Sequence, residues 1–338
     1  MKYSIIIPVY NRPDEVEELL QSLTEQTFKD FQVIIVDDGS TEPCYRVYQR
    51  YEKKFRASYH YKNNTGPGQS RNYGTEFAKG EYFIVLDSDV VLPPGYLAAV
   101  EAELQREPAD AFGGPDRSHE SFTDVQKAIS YSMTAFFTTG GIRGGKKKLD
   151  KFYPRSFNMG VRSDVYHKLG GFSNMRFGED IDFSIRIFKG HYRCRLFPEA
   201  WVWHKRRTDF TKFYRQVYNS GIARINLFKR YPDSLKLVHL LPAVFTVGVI
   251  ALCCLAVLGF MAQNYKLFFL SLLPILAYAI IIFLDSLRVN RNVHVAFLSI
   301  YAAFTQLMGY GFGFIEAWWK RCILRKSEFQ AFEKNFYK

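Results

Sequence analysis

Three long stretches without a single charge close this chain: Leu240–Ala262 over 23 residues, Leu267–Leu284 over 18 and Val295–Ile315 over 21. As helices rising about 1.5 Å per residue they would measure roughly 35, 27 and 32 Å, close to the ~30 Å of a hydrocarbon core. They are read as a membrane region, 232–316, with spans at about 240–262, 267–284 and 295–315, followed by a basic tail, 317–338. Pro274 and a short length weigh against the second span, Gln306 and three glycines against the third; a buried hairpin in a soluble protein is the other reading. Sidedness raises a conflict. Three crossings would separate the tail, with Lys320, Arg321, Arg325, Lys326, Lys334 and Lys338, from the N-terminal part, against the preference of Lys and Arg for the inside. Either the tail breaks that preference, or one block is re-entrant or interfacial.

Residues 1–231 are of a different kind, mixed and globular. The formal net charge is +12, and much of the excess Lys and Arg lies between Arg143 and Arg230. That suits an anionic lipid surface or a nucleotide-bearing substrate. No helix-turn-helix, zinc-finger or RNP-type pattern accompanies it, so a nucleic-acid partner is not expected. The five cysteines show neither metal spacing nor an even-numbered framework, which fits a reducing compartment. The opening Met-Lys-Tyr-Ser-Ile-Ile-Ile-Pro is too short an apolar run for a signal peptide, so this part is expected to stay in the cytosol.

Within it, strands and helices alternate. Ser4–Val9 reads as a strand closed by Pro8 and the turn-forming Asn11-Arg12-Pro13. Asp14 or a neighbour then caps a helix with Val16, Leu19, Leu20 and Leu23 on one face. Phe31–Val36 is a second strand, ending in Asp37-Asp38-Gly39-Ser40. A further helix precedes the Gly-rich Asn64–Gly68, another runs from about Gln69 to Ala78, and a third strand covers Tyr82–Leu86. This alternation predicts a parallel, Rossmann-like sheet. Gly140–Lys148, with four glycines and four basic residues, is a solvated loop or a cover over substrate.

The third strand ends in Asp87-Ser-Asp89. Two acids so placed emerge at the carboxyl end of a buried strand, where open α/β sheets bind ligands. They repel one another unless a cation sits beside them, and a hard divalent ion bridging to phosphate oxygens answers that need. Solvated aspartates capping the strand are the plainer alternative.

Ile6-Ile-Pro-Val-Tyr-Asn11, Val36-Asp-Asp-Gly-Ser40, Arg71-Asn72, Leu86-Asp-Ser-Asp89, Gly170-Gly-Phe172 and Gly178-Glu-Asp180 together, in this order, resemble family 2 glycosyltransferases across about the first 230 residues. The resemblance implies an inverting enzyme of GT-A fold, a nucleotide-diphospho-sugar transferase domain ahead of the helical membrane region. It places Pro8, Tyr10 and Asn11 at the nucleotide pocket and Asp38 on the uracil or ribose edge, although Asp38 also has the position of a helix cap. Arg71 would reach the donor's base or phosphates, where a forked guanidinium matches diphosphate; a surface ion pair is the alternative. Asp89 would ligate Mg2+ or Mn2+, Asp87 would face the ribose, and His204 in Trp201-Val-Trp-His204 would complete the metal site. Asn158 in Phe157-Asn-Met-Gly160 would lie beneath the donor sugar. Asp180 would be the base that takes the acceptor's proton, with Glu179 touching the acceptor or fixing the helix end; ordinary helix capping accounts for the same pair.

Processive members carry Gln-x-x-Arg-Trp, whereas here Gln216-Val-Tyr-Asn-Ser stands without Arg-Trp, so one sugar per encounter is expected. The chain is thus expected to use a UDP-sugar and a lipid-linked glycan acceptor at the cytoplasmic face of a bacterial inner membrane, building cell-surface polysaccharide. A polyprenyl-phosphate glycosyltransferase is the runner-up, and a non-catalytic sugar-nucleotide-binding scaffold a remote third. The stretch Lys205–Arg230, rich in Lys, Arg and aromatic residues, is expected to lie against anionic headgroups.

Overall fold

All seven residues of β1 (Tyr3–Val9) and all seven of β2 (Phe31–Asp37) are buried. Strands covered on both faces need apolar residues at every position, which is why these runs do not alternate. The computed structural model describes residues 1–117, 119, 121–140 and 152–332. Packing divides it into two units, Met1–His119 with Lys151–Lys205, and Glu120–Asp150 with Arg206–Lys338. Most of the basic, glycine-rich run Gly140–Lys148 lies outside the described residues.

In the first unit, β1 is followed by α1 (Pro13–Thr24), β2, α2 (Tyr45–Tyr51), β3 (Arg56–Tyr61), α3 (Pro67–Thr75), β4 (Tyr82–Leu86), β5 (Val90–Val91), α4 (Tyr96–Arg106), β6 (Ala111–Gly113) and β7 (Asp116–Arg117). The chain then contributes α5 (Asp124–Thr134) and α6 (Phe136–Thr139) to the second unit. It returns as β8 (Asn158–Arg162), α7 (Ser163–Lys168), α8 (Glu179–Lys189), β9 (Cys194–Leu196) and β10 (Val202–His204). The main sheet has the order β3-β2-β1-β4-β8-β6-β9, and a small sheet the order β5-β10-β7. From β3 to β4 the strands are parallel, while β8 runs antiparallel to both of its neighbours. The direction of winding reverses between β1 and β4, the place where such sheets open a crevice at their carboxyl edge.

Alternate residues of β1 feed two cores. Ile5 and Ile7 pack with Val16, Leu19, Leu20 and Leu23 of α1, whereas Ile6 packs with Val85, Phe172 and Phe183. Each such side chain, fully buried, contributes ~1.5–3 kcal/mol. Helix α1 begins at Pro13, with Arg12 at the cap position, whose side chain caps none of the helix N–H groups. Asp14 is therefore not the cap; it lies in the first turn, where its charge suits the helix dipole. Strand β3, partly exposed along its length, carries no buried apolar run that would announce it.

The second unit contains α5, α6, α9 (Phe210–Arg230), α10 (Leu241–Met261), α11 (Tyr265–Asn290) and α12 (Val293–Trp318), which ends in a π-helical turn, Trp319–Ile323. Three of its helices are long and apolar enough to cross a membrane: Leu237–Met261, Tyr265–Asn290 and Val293–Ile323. Helix α9 packs with helices of its own unit, since Phe213 and Val217 share a cluster with Ala128, Ile129 and Met133 of α5 and Val295 and Ala302 of α12. Phe213, one of the aromatics expected at the lipid headgroups, is fully buried there.

Gly114 carries the chain from the main sheet to the small one, and a Cβ on it would fall 1.7 Å from the Ala200 carbonyl oxygen. Gly114→Ala must therefore displace backbone, and overpacking of this kind costs about 1–3 kcal/mol. The variant should melt several degrees below the parent in a thermal scan. Gly95→Ala, whose Cβ meets nothing within 4 Å, should melt nearly unchanged.

Candidate functional site

The small sheet brings together residues that are far apart in sequence. In β5–β10 pairing, His204 is opposite Val90, so its ring stands beside Asp89, the residue before Val90. The His204 Nε2 atom lies 3.2 Å from Asp89 Oδ1. On the other edge Val202 pairs with Asp116, whose Oδ2 is 3.9 Å from the opposite ring nitrogen, Nδ1. The Phe157 ring stacks on the imidazole at 4.6 Å and restricts its rotation. Asp87, Asp89 and His204 each offer a ligand atom, all within 4.8 Å of one another. Two carboxylates and an imidazole, with a further carboxylate 3.9 Å behind the ring, form a donor set that fits a divalent metal ion. Arg12 donates to Asp89 Oδ2 at 2.9 Å and to Glu15 at 2.7 Å, so the turn after β1 is tied to the same acid.

Arg71 is the link between this cluster and α8. Its guanidinium is 2% exposed, lies 5.1 Å from the Phe172 ring centre, and donates to Asp87 at 2.7 Å and to Glu179 at 3.0 Å. It is neither a surface ion pair nor exposed. The next residue, Asn72, accepts from the Phe172 N–H and donates to the Phe172 carbonyl, both at 2.8 Å, and so pins the Gly170-Gly171-Phe172 turn. Glu179 and Asp180 open α8 after Gly178, which has a left-handed φ of 83°. Burial, and then the adjacent Asp180 charge, push the Glu179 carboxyl up to about 7, against the pull of Arg71. Burial also opposes ionisation of Asp180, but the Arg155 and Arg71 charges and the Ile181 and Ser156 N–H groups outweigh it, holding its pKa below the ordinary value. Arg155 Nε is 2.8 Å from Asp180 Oδ2. The third acid, Asp182, pairs instead with Arg186, which donates to the Leu169 and Gly171 carbonyls.

At the ends of β1 and β2, the residues expected at a nucleotide pocket form a second group. The β1–β4 register ends at Ile6–Val85, two residues before Pro8, so the missing N–H falls beyond that ladder. Tyr10 follows, partly buried. Asn11 has a φ of 53°, which its short polar side chain tolerates. Its Oδ1 accepts from the N–H groups of Thr41 and Glu42 at 2.8 and 3.1 Å. Asp38 is 3% exposed and accepts from Lys62 Nζ and from the N–H groups of Thr65 and Gly66 at 2.9 and 2.8 Å. It thereby holds the loop that enters α3; the work at the entry of α2 falls to Asp37, which accepts from Ser40 N–H at 2.9 Å and Tyr59 Oη at 2.6 Å. Asn158 is opposite Leu86 in the β4–β8 pair, next to Asp87 in the chain. Its amide accepts from Tyr96 Oη at 2.6 Å and donates to the Ala200 carbonyl at 2.8 Å, tying α4 to the segment before β10.

Arg12, Lys62, Asp116 and Arg155 join the site without a sequence motif that announces them. Arg12 reads only as part of a turn, and the partners of the other three are visible only once the chain has folded. Gly113-Gly-Pro-Asp116, a turn signal ending in an acid after a short apolar run, was the one available clue.

Residues 4–170 match the family described as "Glycosyl transferase family 2". An uncharacterized glycosyltransferase of Rickettsia felis is 34% identical over 137 residues, 40% of this chain but only 22% of its own length. The poly(ribitol-phosphate) beta-N-acetylglucosaminyltransferase TarS of Staphylococcus aureus is 39% identical over 93 residues, 26% of this chain and 16% of that protein. The solved structure of TarS 1–349 in complex with UDP is similar at a TM-score of 0.50 and 21% identity, covering 67% of this chain and 66% of that one. The mannosyltransferase PcManGT of Pyrobaculum calidifontis, solved with GDP-Man and Mn2+, reaches 0.60 at 16% identity over 95% of this chain and 88% of that one. At these identities the structural likeness is one of fold, the GT-A fold.

Asp89→Asn and His204→Ala should each weaken Mn2+ binding more than tenfold, read by paramagnetic resonance of free Mn2+. Asp116→Asn, which loosens the imidazole without removing a ligand, should cost about 10–100-fold.

Proposed function

This chain belongs to glycosyltransferase family 2 through residues 4–170, and from that premise we propose that it transfers a sugar, with inversion, from a UDP-sugar to a hydroxyl of a lipid-linked glycan. The single observation that carries this reading is the joining of two acidic groups by one buried cation: Arg71 holds Asp87 of the metal cluster and Glu179 of the α8 start. One group suits the donor's diphosphate, the other the acceptor.

In the proposed reaction the acceptor oxygen forms a bond to the anomeric carbon as the bond from that carbon to the diphosphate oxygen breaks. The nucleotide leaves with the electron pair, and the hydroxyl proton passes to the Asp180 carboxylate. Arg155 and Arg71 keep Asp180 ionised and ready to accept. Glu179, with its raised pKa, stays next to it without adding a full second charge. Asp87, Asp89 and His204 would hold Mg2+ or Mn2+, which when bound supplies Lewis-acid stabilisation of the diphosphate leaving group. Asp38 would read the uracil edge and Pro8, Tyr10 and Asn11 would line the base pocket, with Asn158 below the sugar. TarS, whose name records an N-acetylglucosaminyl transfer to poly(ribitol phosphate) and whose structure holds UDP, supports a uridine-linked donor. The apolar helices support an acceptor presented at a membrane, and we place the protein in the inner membrane with its first unit in the cytoplasm.

A screen of nucleotide sugars for metal-dependent binding and hydrolysis tests the donor; no response to any UDP-sugar would overturn that assignment. Asp180→Asn should bind donor normally while transfer falls by roughly 10²–10⁴, the usual weight of general-base catalysis. Arg155→Ala addresses the pH dependence. Asp180 stays ionised to lower pH than a free aspartate, and activity is lost as pH falls through its depressed pKa. Removing Arg155 raises that pKa, so the acid limb of the kcat/KM profile should move to higher pH.

A further inference from the structure

We infer that α12 does not cross the membrane: it lies with α9 and α5 along the lipid surface on the side where α9 sits, so the chain crosses only twice, through α10 and α11. The case rests on what α12 touches within its own unit. Contacts between α9 and α12 advance together in the two sequences. Phe210 meets Tyr301 with ring centres 4.6 Å apart, Gly309 packs against Val217 and Tyr214, and Gly313 against the Tyr218 carbonyl. Gly221 packs against the backbone of Tyr310 and Phe314. The two helices run parallel along most of their length, and the glycines let their backbones approach.

A spanning α12 would therefore take α9 across with it. Helix α9 carries Lys212, Arg215, Arg224, Lys229 and Arg230 along its 21 residues. Charges at that density are excluded from a hydrocarbon core. Helix α5 also holds α12, through His294 and Asp124 at 2.7 Å and through Ser132 and Gln306 at 3.3 Å. Helix α5, 11 residues long, is about 16 Å from end to end, too short to cross.

The tail settles the parity. After the π-helical turn it runs back along α9: Glu328 pairs with Arg230, the Phe329 carbonyl accepts from Asn226, and Ala331 exchanges two hydrogen bonds with Asn219. Phe332 lies under Arg215, 5.7 Å from ring centre to guanidinium. Residues at both ends of 231–327 thus touch one amphipathic helix that cannot cross, and the chain between them must cross an even number of times. Helices α10 and α11 are the two that fit. They form an antiparallel hairpin with Gly259 against the Phe268 backbone, and only 17% and 11% of their most apolar windows is buried, against 44% for α12. Outward from α12 and its end point Phe297, Tyr301, Trp318 and Trp319, all exposed, while Arg325 and Lys326 follow. Aromatic and basic residues of this kind favour the headgroup layer of an anionic leaflet.

Protease protection of epitope tags tests the inference on the full-length chain in sealed membrane vesicles. One tag precedes Met1, one is inserted after Gln263 in the α10–α11 turn and one follows Lys338. The expected result is that the Met1 and Lys338 tags are digested together in inside-out vesicles, with the Gln263 tag digested only in right-side-out ones. Digestion of the Lys338 tag with the Gln263 tag, or from both sides, overturns it. Flotation on vesicles with and without anionic lipid gives an independent readout: Arg325→Glu with Lys326→Glu should weaken the anionic preference at least twofold, and an unchanged preference would remove the surface role of this segment.

Discussion

The site depends on a guanidinium withdrawn from water. Arg71 reaches from α3 to the acid after β4 and the acid that starts α8, and no other described side chain joins those elements by ion pairs at both ends. A buried cation is costly unless its partners are well placed, and breaking such a pair by removing one member typically costs 3–5 kcal/mol because the survivor is left uncompensated. The arrangement is consequently rigid. Asn72 adds to that rigidity from the next position by fixing the Phe172 backbone, so that two consecutive residues of α3 set where α8 begins.

A second constraint comes from the small sheet. Strands of two and three residues have little stability of their own, but their register decides which side chains meet. A shift by one residue in the β5–β10 pair would turn His204 to the opposite face. Gly114 and the Phe157 ring guard that register from the two sides, one by leaving room for the Ala200 carbonyl, the other by stacking on the imidazole.

How much of this was legible beforehand varied with the distance between partners. Asp87 and Asp89 stand directly after the buried apolar run that positions them, so strand and acids are legible together. Continuous burial made β1, β2 and β4 plain, and β3, whose residues are half exposed, passed unread. Asp37 and Asp38 were indistinguishable as letters; only the direction of each side chain at the strand end separates the one that braces α2 from the one that holds the α3 loop. Asp116 and Arg155 were missed because their partners lie 88 and 25 positions away, with no periodicity to connect them. The basic stretch Lys205–Arg230 was read for its charge, while the apolar spacing of Phe213, Val217, Ile222 and Ile225 carried the stronger message, a packing face for α12.

The pairing of α5 with α12 also bears on how the protein is made. Asp124 bonds to a residue 170 positions later in the chain, and Ser132 to one 174 later. Contacts between such distant residues form late, since a long loop must close first. At translation rates of about 5–20 residues per second, α5 leaves the ribosome roughly ten to thirty seconds before its partner exists. For that interval Ala128, Ile129 and Met133 have no α12 to cover them, and the nascent chain carries an apolar surface that the membrane or a chaperone must shelter until the last helix arrives.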